Sequence, residues 1–267
     1  MTEEELIRII KSTVHIVMSE PMTMQPSGIG SGCIVDYQGK QILLTVAHVT
    51  GKEAGTCIVT GQPPVNFQTP MYSTGAMTYL SKFDITKYEE QLKQLKDEPD
   101  RIEERDFGQI DFSFATLQHK VEFIQKRIDF KEFTVPAGKK LTIKTDLKDR
   151  PEVGKKYGFF GRIKPLYFKG TPNADTFETQ EVLYGGAKFI RKVGYYYEFE
   201  LPNPIQDHAD FKGTSGAPIL DTDGKLVSLV THGYEGAKFI YGIAIADFKS
   251  GVDGMLMTDD YEKYNGS

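Results

Sequence analysis

A serine bracketed by glycines, Gly213-Thr214-Ser215-Gly216-Ala217-Pro218, stands directly before an apolar run. A nucleophilic serine needs a hydroxyl exposed at a sharp turn and backbone N–H groups free to hold an oxyanion. Glycine permits both because it carries no Cβ. The same residues would also suit a plain glycine-rich β-turn. A serine hydroxyl is a poor nucleophile at neutral pH, so it needs a positioned base, and imidazole titrates in the right range. His48 closes the apolar run Leu44-Thr45-Val46-Ala47-His48-Val49, just before Thr50-Gly51-Lys52. Standing alone, such a histidine could be purely structural. Asp111 heads the alternating stretch Asp111-Phe112-Ser113-Phe114-Ala115-Thr116-Leu117. An aspartate entering an apolar strand is costly unless paired, and holding a histidine N–H would satisfy it.

The elements around these residues read as short strands. Thr2 with Glu5 forms a capping box for a helix over residues 1–12 with an apolar stripe of Leu6, Ile9 and Ile10. Val14–Met18, Cys33–Tyr37, Gln41–Thr45 and Thr56–Thr60 are β-rich, and Gln38-Gly39 marks a hairpin turn. Residues 81–107 differ: Tyr88–Lys96 holds strong helix formers with a narrow apolar stripe, which reads as an exposed helical insertion. A polar, basic connection around 139–156 follows. Strand-like runs resume at Tyr157–Phe160, Tyr195–Leu201, Ile219-Leu220, Leu226–Thr231 and Phe239–Ala246, with a poorly defined tail beyond. Many short strands separated by turn signals predict an all-β sandwich or barrel, and the length favours two barrels over one.

Composition narrows the function. The 267 residues carry 32 basic and 37 acidic side chains, for a net charge of −5, without a basic cluster, which argues against nucleic acid. No apolar run reaches membrane-spanning length, and the acidic N-terminus is unlike a secretion signal, so a cytoplasmic location is expected. Cys33 and Cys57 cannot form a disulfide framework and read as free buried thiols. No histidine or cysteine pair has metal-ligand spacing. Gly28-Ile29-Gly30-Ser31-Gly32 precedes a strand, not a helix, so it is a poor phosphate cradle.

With these motifs in place, the sequence resembles the chymotrypsin-like (trypsin-fold) serine proteases. The resemblance rests on the order Thr-Val-Ala-His48, Ile110-Asp111-Phe112-Ser113-Phe114 and Gly213–Pro218, and on Gly30-Ser31-Gly32-Cys33-Ile34-Val35, which is similar to a strand of the bacterial members. It covers roughly Gly28 to Ile245. It implies two packed six-stranded antiparallel β-barrels: residues 13–125 carrying His48 and Asp111, and residues 126–267 carrying Ser215 plus the tail. It also implies roles. Ser215 attacks the substrate carbonyl, His48 is the base, and Asp111 orients it. The N–H groups of Gly213 and Ser215 form the oxyanion hole. Thr231-His232-Gly233 pairs with the substrate main chain, and Gly242 opens a wall of the specificity pocket. No cofactor is implied, and the partner is a protein or peptide substrate.

Departures from that pattern carry information. Secreted members place aspartate where Thr214 stands, so activation by a new N-terminus is not expected. Ala217 replaces a glycine. The pocket floor falls on Ala209, which argues against cutting after lysine or arginine, although Asp207 and Asp210 are adjacent. His232 either reads an acidic or amide side chain or merely lines the cleft. A competing function is a catalytically silent trypsin-fold scaffold, with the 81–107 insertion as a place for a protein partner. An α/β-hydrolase esterase fails on chain order, since serine comes last here.

Overall fold

A computed structural model describes residues 1–19, 26–51, 55–63, 65, 69–97, 110–119, 121–169, 175–206 and 211–265. Helix α1 (Glu3–Ser12) opens the chain, and its Thr2–Glu5 capping box forms in both directions. Seven strands follow: β1 (Val14–Ser19), β2 (Pro26–Tyr37), β3 (Lys40–Thr45), β4 (Gly55–Val59), β5 (Met71–Ser73), β6 (Thr78–Tyr79) and β7 (Ser113–Thr116). The four-residue helix α2 (Ala47–Thr50) lies after β3, and α3 (Ile85–Asp97) lies between β6 and β7. Their sheet runs β5-β4-β1-β2-β3-β7-β6 and is an open half-barrel among the described residues. The β2–β3 hairpin turns at Gln38 and Gly39, both at positive φ, as a tight hairpin requires.

Five two-residue strands cross toward the second half: β8 (Ile124–Gln125), β9 (Ile128–Asp129), β10 (Thr134–Val135), β11 (Gly138–Lys139) and β12 (Ile143–Lys144). β12 pairs parallel with β2. Ile143 and Lys144, within the 126–267 span that the resemblance gives to the second barrel, thus lie on the first sheet, with Ile143 buried. Six further strands close a barrel in the order β13-β14-β15-β18-β17-β16. They are β13 (Lys156–Lys169), β14 (Asp175–Val193), β15 (Tyr196–Glu200), β16 (Pro218–Asp221), β17 (Leu226–Gly233) and β18 (Phe239–Ile243). One apolar core crosses the seam, joining Ile16, Leu44 and Phe112 to Phe160, Tyr196 and Leu229. A second core, around Phe159, Phe199 and Val230, fills the barrel.

Two expectations need correction. The segment after Ala246 is no undefined tail: a 3-10 turn (Ile245–Asp247) leads into helix α4 (Lys249–Asn265). Val252 and Leu256, four residues apart, bury one face of it, and Lys249 pairs with Asp253 at 2.5 Å. The second concerns the insertion, where α3 is not solvated all round. Tyr88 is 1% exposed and packs inward, as described next.

Candidate active site

The first half of the site is set by strand register. β3 carries Ile42, Leu43 and Leu44 into the core and ends at Thr45, which pairs with Ser113 of β7. His48 then lies not at a strand end but in α2, and Asp111 lies two residues before β7, across from it. The carboxylate of Asp111 accepts the backbone N–H of His48 at 2.9 Å on Oδ1 and faces ring Nδ1 at 2.8 Å on Oδ2. One residue thus serves an otherwise orphan donor of the short helix and orients the ring. Asp111 is wholly buried. Burial pushes its carboxyl up, but the His48 charge and the two hydrogen bonds from His48 hold it below the usual value, with a lesser contribution from the nearby Tyr88 hydroxyl, which stands beyond hydrogen-bond distance. With Nδ1 engaged, Nε2 is the ring atom left to take a proton.

Tyr79 of β6 and two side chains of the insertion, Phe83 and Tyr88, gather around α2. Tyr79 donates to the Thr50 carbonyl at 2.8 Å, and Phe83 packs tilted on Tyr88 at 5.4 Å. Tyr88 stacks on the His48 imidazole, with centroids 5.0 Å apart and planes 13° apart. Burial and the Asp111 charge raise its phenol well above the ordinary range.

The second half is the turn from Phe211 to Pro218, where Thr214 N–H and Oγ1 donate to the Phe211 carbonyl at 3.0 and 2.8 Å. Gly213 and Gly216 hold φ of +111° and +86°. A Cβ at Gly213 would sit 2.2 Å from the Arg162 carbonyl oxygen, and one at Gly216 2.0 Å from that of Ser31, so only glycine fits. The turn is strapped to the first sheet. Ser31 N–H donates to the Ser215 carbonyl and Ser31 Oγ to the Gly213 carbonyl, both at 2.8 Å, and Thr45 Oγ1 donates to the Ser31 carbonyl at 2.7 Å. Sequence reasoning saw Ser31 only as part of a strand motif and missed this strap.

Ser215 Oγ donates to the Thr231 carbonyl at 3.3 Å, and among the described residues it makes no hydrogen bond to His48. Nor, among the described residues, does the N–H of Gly213 or Ser215 meet an acceptor. β16 pairs with Leu226–Leu229 of β17, whereas β18 pairs on to Gly233. Thr231-His232-Gly233 therefore keeps one edge without a strand neighbour among the described residues. His232 is buried, stacked on Tyr241 at 4.8 Å with its edge to Tyr196 at 5.6 Å. Burial drives its pKa down to about 3, so the ring is neutral; Asp111 and His48 are the charges that face it. Gly242 meets the barrel interior, where a Cβ would lie 2.3 Å from Ser228 Oγ, a packing reason for glycine independent of any pocket wall. Ala209, Asp207 and Asp210 lie outside the described residues. No cluster of three or more metal-ligating side chains occurs among the described residues. Among the described residues, no helix is long and apolar enough to cross a membrane.

No family model and no curated protein matches the sequence. Solved structures do match the fold. The scabies mite inactivated protease paralogue S-D1 aligns with TM-score 0.57 at 9% identity, over 94% of each chain. Human heparin binding protein aligns with TM-score 0.51 at 11% identity, over 93% of this chain and 92% of that one. The chain has the chymotrypsin-like fold. A serine endoprotease from Yersinia pestis also matches, with TM-score 0.50 at 13% identity, over 97% of this chain and 68% of that one. This chymotrypsin-like chain thus shares its architecture with a serine endoprotease and an inactivated protease paralogue alike, and at these identities the likeness speaks for the fold alone.

Proposed function

We propose that the chain is a serine endopeptidase that hydrolyses peptide bonds through an acyl-enzyme. Ser215 attacks the carbonyl, and His48 takes the hydroxyl proton on Nε2 and later delivers it to the leaving amine. Asp111 fixes the tautomer and stabilises the imidazolium. The N–H groups of Gly213 and Ser215 receive the oxyanion. An extended substrate adds as a strand along Thr231-His232-Gly233, and the edge left open there supports that placement. The observation that carries the reading is the Asp111–His48 pair, closed by two hydrogen bonds on a fully buried carboxylate. The free buried thiols Cys33 and Cys57 support a reducing, cytoplasmic compartment.

The second reading is a silent scaffold. It is favoured by the Ser215 hydroxyl, which is given to the Thr231 carbonyl and not to His48. Labelling with a fluorophosphonate probe separates the two. Wild type is expected to label and Ser215→Ala not to. Absent or equal labelling of the two would remove Ser215 as nucleophile and leave the scaffold.

A further inference from the structure

The insertion carries chemistry that the triad does not account for. Tyr88 sits in a helix whose neighbours Lys87, Glu89 and Glu90 face solvent or its margin, yet Tyr88 itself is 1% exposed. Its ring lies flat against the imidazole at 5.0 Å, and Phe83 backs it at 5.4 Å. We infer that Tyr88 is a positioning residue of the active site. In this role the insertion helix seats its ring on His48 and shuts water away from the hydrogen bond between Nδ1 and Asp111.

Three observations distinguish this from simple core filling. First, the stacking is nearly parallel, at 13°, so the tyrosine plane limits rotation of the imidazole about its Cβ–Cγ bond. Second, α2 is only four residues long, and His48 lies 18% exposed within it, so the ring needs bracing from outside its own element. Third, phenylalanine would fill the volume at lower cost. The Tyr88 hydroxyl is buried without a partner at full hydrogen-bond distance, a penalty for any tyrosine that serves only as bulk. What it faces is the Asp111 carboxylate, which it helps keep ionised. The insertion is thus a working part of the site, and the base is held only while α3 is docked.

The inference rests on the peptidase reading for its catalytic meaning, but its geometry can be tested without activity. In 15N-histidine-labelled full-length protein, the Nδ1–H proton shared with Asp111 should give a downfield resonance in wild type and Tyr88→Phe. In Tyr88→Ala it should be broadened by solvent exchange or lost. Tyr88→Leu, which keeps bulk without a ring plane, takes the place of the alanine variant if that does not fold. Fluorophosphonate labelling at Ser215 should slow by about tenfold or more in the alanine or leucine variant. In Tyr88→Phe it should stay within about threefold, with any loss greater at low pH, where Asp111 loses the hydroxyl's support. An unchanged Nδ1–H resonance in a folded variant lacking the ring would overturn the inference. If wild type fails to label while the resonance behaves as expected, the peptidase reading falls and the positioning role stands.

Discussion

Asp111 receives His48 twice, through the backbone N–H at 2.9 Å and through the imidazole Nδ1 at 2.8 Å. The two bonds make different demands. The first needs only an oxygen acceptor on Oδ1, and the second needs an acceptor facing Nδ1. Asp111→Asn keeps the first and turns the second into a donor. The ring must then take the tautomer with its proton on Nε2, which cannot accept one from Ser215. Folding should survive while the labelling rate falls by about 10⁴-fold. A loss below tenfold would show that the ring orientation does not govern the nucleophile.

Stability should fall on the acid side of neutrality. His232 is held at about 3 by burial, with Asp111 and His48 facing it. His15 is also pushed well below the ordinary 6.5, by burial and by the Arg162 and Lys140 charges. A histidine with a depressed folded pKa binds fewer protons folded than unfolded. Its contribution is therefore intact above the unfolded value and is lost as the pH drops through it. His232 alone predicts a loss of about 2 kcal/mol between pH 7 and pH 5. Urea midpoints across that range should show the slope, and His15→Leu should flatten it. A midpoint independent of pH would contradict both burials.

The strap between the two halves predicts an uneven response to alanine. Gly216 holds φ +86° with Ser31 and Thr45 oxygens where a Cβ would go, whereas Gly39 holds φ +77° with nothing within 4 Å. Gly39→Ala should cost about 1 kcal/mol, the left-handed penalty alone. Gly216→Ala must also move the Ser31 carbonyl, so it should cost about 3 kcal/mol or more and abolish labelling. Equal thermal shifts for the two would mean that the nucleophile turn is not clamped to β2.

The legible parts were those whose cause is local. Gln38-Gly39 announced a hairpin because both residues must adopt positive φ, and they do. Thr2 and Glu5 announced a helix start through their reciprocal hydrogen bonds. Gly213 and Gly216 marked a turn that only glycine can make. Tyr88 was opaque for the opposite reason. A narrow apolar stripe records how little of a helix is buried, not what that little is buried against. Strand β14 was missed because Asp175–Val193 mixes charged and apolar residues without clean alternation, its pairing with β13 being interrupted by register shifts. The strap through Ser31 and Thr45 joins residues more than 160 positions from the turn they hold, a distance no local pattern reports.

Phe248, which joins the 3-10 turn to helix α4, supplies the last prediction, because it backs the acid of the pair. Phe248 stacks on Phe112 at 6.1 Å and 18°, and Phe112 follows Asp111 directly. Val252 and Leu256 anchor the helix to the same core, and Asp253 takes the Tyr37 hydroxyl at 2.5 Å. Removing the Phe248 ring leaves Phe112 without its outer neighbour, so Phe248→Ala should cost about 3 kcal/mol or more in urea unfolding. It should also slow labelling of Ser215, since the Asp111 backbone loses its support. Met257→Ala, on the 74% exposed side chain of the same helix, should stay within about 0.5 kcal/mol and label normally. If Phe248→Ala lowers stability but leaves the labelling rate untouched, Phe248 stabilises the fold without bracing the acid, and the path from Phe248 through Phe112 to Asp111 would have to be abandoned.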